Sequence, residues 1–116
     1  MTSELKQQWI EALRSGRYKQ GIRALRDINE AYCPLGVLCD ILDMTQWEHS
    51  IWECGNGQKC HIFSWRGSSV RLSYKARHDI GLPDSAQLTI MSLNDRLGWT
   101  FAQIADWIEK NVIATG

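Results

Sequence analysis

The sequence lacks an excess of charge of either sign, since 13 basic residues balance 13 acidic residues in a chain of 116. A neutral chain has no overall field to draw it to nucleic acid or to an anionic membrane. The sequence also lacks an apolar run of membrane-spanning length, and its polar start, MTSELKQQW, lacks the apolar core of a signal peptide. With no repeat and no linker tract, residues 1–116 are expected to form one cytoplasmic domain.

Cysteine is limited to four residues, and without a secretory signal we expect all four to be reduced thiols. The candidate ligands of a zinc site are Cys33, Cys39, Cys54, Cys60, His49 and His61. Structural zinc sites use closely spaced cysteine pairs, whereas both cysteine pairs here enclose five residues. Within one helix, Cys33 and Cys39 would lie ~120° apart. A tight Asn-Gly turn at 56–57 would put Cys54 and Cys60 on opposite faces of a hairpin, and only a five-residue loop would bring their thiols together. We therefore predict no metal site and no cofactor.

Tryptophan, in contrast, is abundant for a chain of this size, with six residues. Tryptophan side chains fill the cores of small domains, but they also form aromatic binding surfaces. We expect most of the six to lie in the core.

The most apolar stretch, AYCPLGVLCDIL at 31–42, predicts a buried helix at the centre of the domain. Pro34 suits the first turn of a helix, because its missing N–H needs no partner there and its φ is already helical. Cys33 would then be the N-cap residue, beside the N–H groups of the first turn. The apolar residues that follow cover more than one helical face, so only Asp40 and Asp43 need a partner or water.

The flanking segments predict an α+β fold. A first helix, capped by Thr2 or Ser3, should run to about residue 15, and the segments 24–26 and 31–33 should form a short extended pair. Three short antiparallel strands are predicted at 51–54, 60–65 and 69–73. Two helices close the chain, the second with a capping box of Thr100 and Gln103. The expected fold is a single compact domain with a buried central helix, a small three-stranded antiparallel sheet and a C-terminal helical pair.

Three segments of the chain carry a resemblance to a known family. Residues 32–40, YCPLGVLCD, are similar to the YCCLGVLCD motif of small, mostly uncharacterised bacteriophage and prophage proteins, with Pro34 in place of the second adjacent cysteine of that motif. Residues 13–21, LRSGRYKQG, match a second piece, and LND–G–WTF–IAD–IE at 93–109 is similar to the closing LND–G–SF–IAD–IE pattern. Residues 44–73 are largely unmatched. The resemblance implies a phage origin and no particular activity.

A cysteine nucleophile is the sharpest enzymatic hypothesis. Helix N–H groups lower the pKa of an N-cap thiol, so Cys33 would be the nucleophile and His61, on a later strand, the base. Asp95 or Asn94 would orient that base. The alternative is a buried structural thiol, since cysteine is among the most buried residue types.

Two basic segments, residues 14–26 and residues 66–77, suggest a binding site instead. If they converge, they form a cationic pocket beside aromatic rings, which suits a nucleotide-like or phosphate-bearing ligand. The candidate residues of this basic site are Arg17, Tyr18, Lys19, Arg23, Arg66, Arg71, Tyr74, Lys75 and Arg77. The opposing interpretation is that they form two unconnected, solvated patches.

The C-terminal helical pair superficially resembles a helix-turn-helix. Its second helix carries Asp106 and Glu109 against a single Lys110, and these acids would repel phosphates. Sequence-specific DNA binding is therefore disfavoured.

These features lead to the hypothesis of a phage accessory protein, for host takeover or anti-defence, that binds a host protein or a nucleotide-like ligand in the host cytoplasm. This hypothesis is an analogy based on the resemblance. One alternative is a cysteine-dependent enzyme that uses Cys33 and His61. A second alternative is a phage structural or assembly component, which would self-associate.

Overall fold

The chain folds into five helices and four short strands in a computed structural model that describes residues 1–115. In chain order they are α1 (Ser3–Arg14), β1 (Lys19–Gln20), β2 (Ala31–Tyr32), α2 (Pro34–Asp43), β3 (Trp47–Glu53), β4 (Lys59–Trp65), α3 (Tyr74–Ile80), α4 (Asp84–Asp95) and α5 (Phe101–Asn111). A 3₁₀ turn, Met44–Gln46, joins α2 to β3. The predicted α+β class, the buried central helix and the C-terminal helical pair are confirmed.

Helix α2 lies at the centre of the domain, as its apolar sequence predicts. Pro34 occupies the first turn, and Cys33 is the N-cap residue, whose Sγ accepts a hydrogen bond from the Gly36 N–H at 3.4 Å. Every residue from Pro34 to Cys39 is buried. Helices α1 and α4 pack against α2, and α5 packs against both α1 and α4.

Three tryptophan side chains donate hydrogen bonds to oxygen atoms of α2. The pairs are Trp9 Nε1 to the Pro34 carbonyl at 2.9 Å, Trp47 Nε1 to the Asp40 carboxylate at 3.0 Å, and Trp65 Nε1 to the Asp43 carbonyl at 2.9 Å. A buried indole needs such a partner, and here it satisfies helix oxygens at the same time. Of the six tryptophans only Trp52 is exposed, so the expectation that most belong to the core is confirmed.

The strands form two separate pairs, so the prediction of a three-stranded antiparallel sheet is wrong. Strands β3 and β4 pair in antiparallel register from Trp47↔Trp65 to Glu53↔Lys59, whereas β1 and β2 pair in parallel. In the predicted third strand, 69–73, the Leu72 N–H donates to the side chain of Gln87 on α4. The backbone of this segment therefore bonds to other elements instead of extending the sheet.

The predicted extended pair at 24–26 and 31–33 is present only as an isolated antiparallel bridge between Arg26 and Tyr32. The turn between them is closed by hydrogen bonds from the Glu30 N–H to the Asp27 carbonyl and from the Asp27 N–H to the Ala31 carbonyl. Tyr32 belongs instead to β2, which pairs with β1.

Cys54 and Cys60 form a disulfide, so the prediction of four reduced thiols is wrong for this pair. The connection between β3 and β4 is the five-residue loop 54–58, closed by the Cys54 N–H donating to the Gln58 carbonyl at 3.1 Å. This longer loop brings the two thiols together, whereas the Asn-Gly signal had favoured a two-residue turn. Cys33 and Cys39 are free and buried.

Helix α5 starts at the predicted capping box of Thr100 and Gln103. Its acids bind Arg14 of α1, with N–O distances of 2.5 Å to Asp106 and 3.1 Å to Glu109. Across residues 1–115, no helix has the length and apolar character needed to cross a membrane.

The first turn of α2 and the segment that precedes β2 approach each other closely in the core. A Cβ atom on Gly36 would overlap the carbonyl oxygen of Leu25. The same carbonyl accepts a hydrogen bond from the Cys33 N–H at 3.3 Å, and Leu25 is fully buried. Glycine at position 36 therefore allows the first turn of α2 to lie directly against the Leu25 backbone.

Gly36→Ala should destabilise the domain by about 3 kcal/mol, because the added methyl must push α2 away from the Leu25 carbonyl. Chemical denaturation followed by tryptophan fluorescence measures this change. Gly16→Ala is the matched control: Gly16 has a φ of 76°, but no atom lies within 4 Å of the place that a methyl group would take there. It should lose only about 1 kcal/mol, from backbone strain. Equal losses in the two variants would contradict the proposed overlap.

Candidate functional site

The outer part of the β3–β4 hairpin stands in solvent. From residue 48 to residue 62 none is buried, and only Ser50 and Cys60 are partly covered. The base is anchored, because Trp65 is only 3% exposed and Trp47 is bonded to Asp40 of α2. The hairpin is therefore fixed at one end and closed by a disulfide at the other.

The strand register assigns the side chains of the hairpin to two faces. The face that carries the buried Trp65 is called the inner face, and it holds Trp47, His49, Ile51, Glu53, Lys59, His61, Phe63 and Trp65. The opposite face is called the outer face, and it holds Glu48, Ser50, Trp52, Cys60, Ile62 and Ser64. Because residues alternate along a strand, His61, Phe63 and Trp65 share a face. Burial of Trp65 shows that this face is the one against the body.

Arg26 joins the inner face to the rest of the domain through aromatic rings. Its guanidinium carbon lies 4.6 Å from the ring centroid of Phe63 and 5.5 Å from those of Tyr32 and Trp47. The Arg26 Nε atom is buried and has no hydrogen-bond partner in the described part of the chain. The negative faces of the three rings compensate for that missing partner, so the cation–π contacts hold the hairpin to the body.

Two histidines lie beside this cluster on the inner face. The His49 ring stacks on Phe63 with centroids 4.4 Å apart and an angle of 5° between the planes. The His49 Nε2 and His61 Nδ1 atoms are 2.8 Å apart, a hydrogen-bond distance in which either ring can donate. Both side chains are exposed.

The outer face presents apolar side chains to water. Trp52 is 62% exposed and Ile62 is 41% exposed. The register places Trp52 opposite Cys60 and Ser50 opposite Ile62, so Trp52 and Ile62 are diagonal neighbours on one face, beside the disulfide. A large aromatic residue held in solvent next to a second apolar residue is typical of an interaction surface.

The Cys33 thiol lies in an environment that opposes ionisation. Cys33 is 5% exposed, and burial raises the pKa of its thiol to about 12, against the opposing effect of the Gly36 and Leu35 N–H groups. The expectation of a lowered pKa is therefore wrong, because desolvation of the thiolate outweighs the helix N–H groups.

The other two residues of the enzymatic hypothesis are bonded elsewhere. His61 is hydrogen-bonded to His49 on the hairpin. Asp95 accepts hydrogen bonds from the Arg23 N–H at 3.0 Å and from Asn94 Nδ2 at 2.9 Å. Within residues 1–115, no hydrogen bond joins Cys33, His61 and Asp95 to one another.

The predicted basic site is partly neutralised by carboxylates of the same chain. Arg66 lies 3.4 Å from Asp79, and Arg77 lies 3.7 Å from Asp84 with its guanidinium over the Tyr74 ring. The remaining cations of the predicted site form no ion pair with any described residue; they are Arg17, Lys19, Arg23, Arg71 and Lys75.

Tyr18, the other aromatic residue of the predicted basic site, is part of the scaffold. Its hydroxyl donates to the Asp40 carboxylate at 2.6 Å, and its ring meets the edge of the Tyr32 ring. Burial and the Asp40 carboxylate both raise the pKa of Tyr18 above its usual range. Tyr18 therefore remains a neutral hydrogen-bond donor at physiological pH.

An amide network, which sequence reasoning missed, joins two of the motif-bearing segments. Gln20 Nε2 donates to Asn94 Oδ1 at 2.8 Å and to the Trp99 carbonyl at 2.7 Å, and Gln20 Oε1 accepts from the Phe101 N–H at 3.2 Å. Asn94 is only 2% exposed. In the sequence, the indication of this network was the polar residue Asn94, directly after the apolar positions of α4. These motif residues hold the scaffold together.

Among residues 1–115, no three or more histidine, cysteine, aspartate or glutamate side chains are grouped so that they could hold a metal ion. An open groove of about 510 Å³ lies between the N-terminus and the last two helices, where Trp107 and Val112 line it. Among the described residues, no charged side chain lines this groove, so it offers no convergent chemistry.

Comparison with curated proteins and with solved structures finds no match. A comparison with protein families does find one, over residues 1–112. The chain belongs to the family described as a domain of unknown function (DUF8296).

Proposed function

We propose that this protein acts by binding a host protein through the outer face of its hairpin. The observation that carries the proposal is the exposure of Trp52 and Ile62, side by side on the face turned away from the body. Tryptophan is among the residue types most enriched in the side chains that dominate binding energy at interfaces. A partner with an apolar groove would bury both side chains and the adjoining disulfide.

The hairpin is held in an ordered conformation before any partner binds. An isolated two-stranded hairpin is marginally stable in water. Here the Cys54–Cys60 disulfide holds the tip and the Arg26 guanidinium, stacked on Phe63, holds the inner face. A binding element that is already ordered loses less conformational entropy when it binds.

A protein partner fits the structure better than the nucleotide-like ligand. Arg66 and Arg77, both members of the predicted basic site, form ion pairs with carboxylates of the same chain, and Tyr18 donates a hydrogen bond to one. The outer face carries a single acid, Glu48, and no arginine or lysine. This composition favours an apolar protein surface over a phosphate.

The phage, host-takeover and anti-defence parts of the proposal rest on the resemblance of three segments to phage and prophage proteins. The hairpin lies within residues 44–73, the part that those motifs leave unmatched. A host-cytoplasmic location is part of the same proposal. The Cys54–Cys60 disulfide at the solvent-facing tip weighs against it, because cytosolic thiol systems keep such cysteines reduced.

The double variant Trp52→Ser/Ile62→Ser should lose the partner while remaining folded, because neither side chain belongs to the buried core. The tagged wild type and variant are used to capture proteins from bacterial lysate, and a protein retained only by the wild type is then purified. Its affinity for each form is measured by calorimetry. Loss of two apolar anchors should weaken binding by about 100-fold.

Two further variants serve as controls in the same experiment. Leu88→Ser removes an exposed leucine of α4, far from the hairpin in sequence, and should bind the partner like the wild type. Arg17→Glu/Arg71→Glu should weaken binding only if the basic site is the interface. Partner loss in that variant, with full binding by the hairpin variant, would contradict the proposal. A stable homo-oligomer that the hairpin variant abolishes would favour the assembly alternative.

The enzymatic alternative requires a reactive Cys33 thiol, whereas the structure predicts an unreactive one. Because burial raises the pKa of this thiol to about 12, native Cys33 should resist alkylation by iodoacetamide at mildly alkaline pH and react only after unfolding. Peptide mass spectrometry with and without denaturant measures both states. Rapid native labelling of Cys33, together with loss of an activity in Cys33→Ala, would restore the enzyme hypothesis.

A further inference from the structure

The two histidines of the hairpin are brought together by strand register. His49 lies opposite Phe63 and His61 lies opposite Ile51, so the two histidines are diagonal neighbours on the inner face. The register leaves a ring nitrogen of each side chain facing the other, His49 Nε2 and His61 Nδ1, at 2.8 Å. Both rings are exposed, so an ion from solvent reaches them without any movement of the backbone.

The separation of the two nitrogens is close to that of a chelating pair. With zinc–nitrogen bonds of about 2.0–2.1 Å, two ligands of a tetrahedral site lie roughly 3.3 Å apart. Small side-chain rotations of His49 or His61 provide the additional separation. Stacking on Phe63, at 4.4 Å and 5°, limits the orientations of the His49 ring and so reduces the entropy lost on binding an ion.

We propose that His49 and His61 form a binding site for a divalent transition-metal ion of the Zn²⁺ class. The protein supplies two imidazole nitrogens, and water completes the coordination, because the described residues contain no group of three or more ligating side chains. The site is therefore open, with positions that a partner's side chain can take. It is independent of the outer-face interface and stands whether or not that interface is correct.

The ligand atoms select the kind of ion. Two imidazole nitrogens are poor ligands for Ca²⁺ and Mg²⁺, which prefer oxygen ligands. Zn²⁺, Ni²⁺ and Cu²⁺ form strong bonds to neutral imidazole and are therefore the ions that the site favours.

The four cysteines do not compete with the two hairpin histidines for the metal ion. Cys54 and Cys60 are joined in a disulfide, and Cys33 and Cys39 are buried. The third histidine, His78, is on α3, where its ring stacks on Tyr74. It provides a matched control, since it lies on a separate element and is not paired with either hairpin histidine.

The test is calorimetric titration of the oxidised full-length protein with ZnCl₂ in a non-chelating buffer. One Zn²⁺ per chain is expected for the wild type and for His78→Gln. His49→Gln and His61→Gln should each weaken binding by about tenfold or more, since each leaves only one imidazole. Circular dichroism checks that all variants remain folded, and histidine-ring NMR of the wild type should show shifts at His49 and His61 only.

Any of three results would overturn the proposal. In the first, the His49→Gln and His61→Gln variants bind Zn²⁺ as tightly as the wild type. In the second, His78→Gln abolishes binding and the hairpin variants retain it. A histidine pair that serves only as a hydrogen-bonded link would give no saturable heat and no shift of the His49 and His61 ring signals with Zn²⁺.

Discussion

The approach of α2 to the Leu25 backbone is the constraint on which the rest of the structure depends. Gly36 permits this approach, and the Leu25 carbonyl then accepts the hydrogen bond of the Cys33 N–H. With the helix seated there, Trp9 and Trp65 reach its carbonyl oxygens from two other elements. The buried part of this helix needs such internal donors, because water does not reach polar atoms there.

The same burial separates the scaffold from the part of the chain that is free to interact. Polar groups of the scaffold, such as Gln20 and Asn94, are bonded to one another and to backbone atoms. The hairpin carries its apolar residue Trp52 and its histidine pair in solvent instead. Side chains that the fold does not use are the ones available to a partner or an ion.

Some features depended only on local chemistry and were readable from the sequence. Pro34 marked the first turn of α2, Cys33 its N-cap, and Thr100 with Gln103 the start of α5. These assignments succeeded because a cap or a first-turn proline acts within a few residues of the same helix. The assignment of most tryptophans to the core followed from composition alone, but their partners on α2 did not.

Long-range packing decided the rest. Whether Cys33 is reactive depends on the competition between helix N–H groups and desolvation, and only the depth of burial shows that desolvation dominates. Whether Cys54 meets Cys60 depended on the length of the loop that joins two strands. The contact between His49 and His61 likewise depends on the register of β3 against β4. The alternation of residues along a single strand does not reveal that register. The sequence by itself determined the helices, the caps of α1, α2 and α5 and the α+β class, because these follow from neighbouring residues. Tertiary structure decided the site, because contacts between distant residues set burial, register and charge.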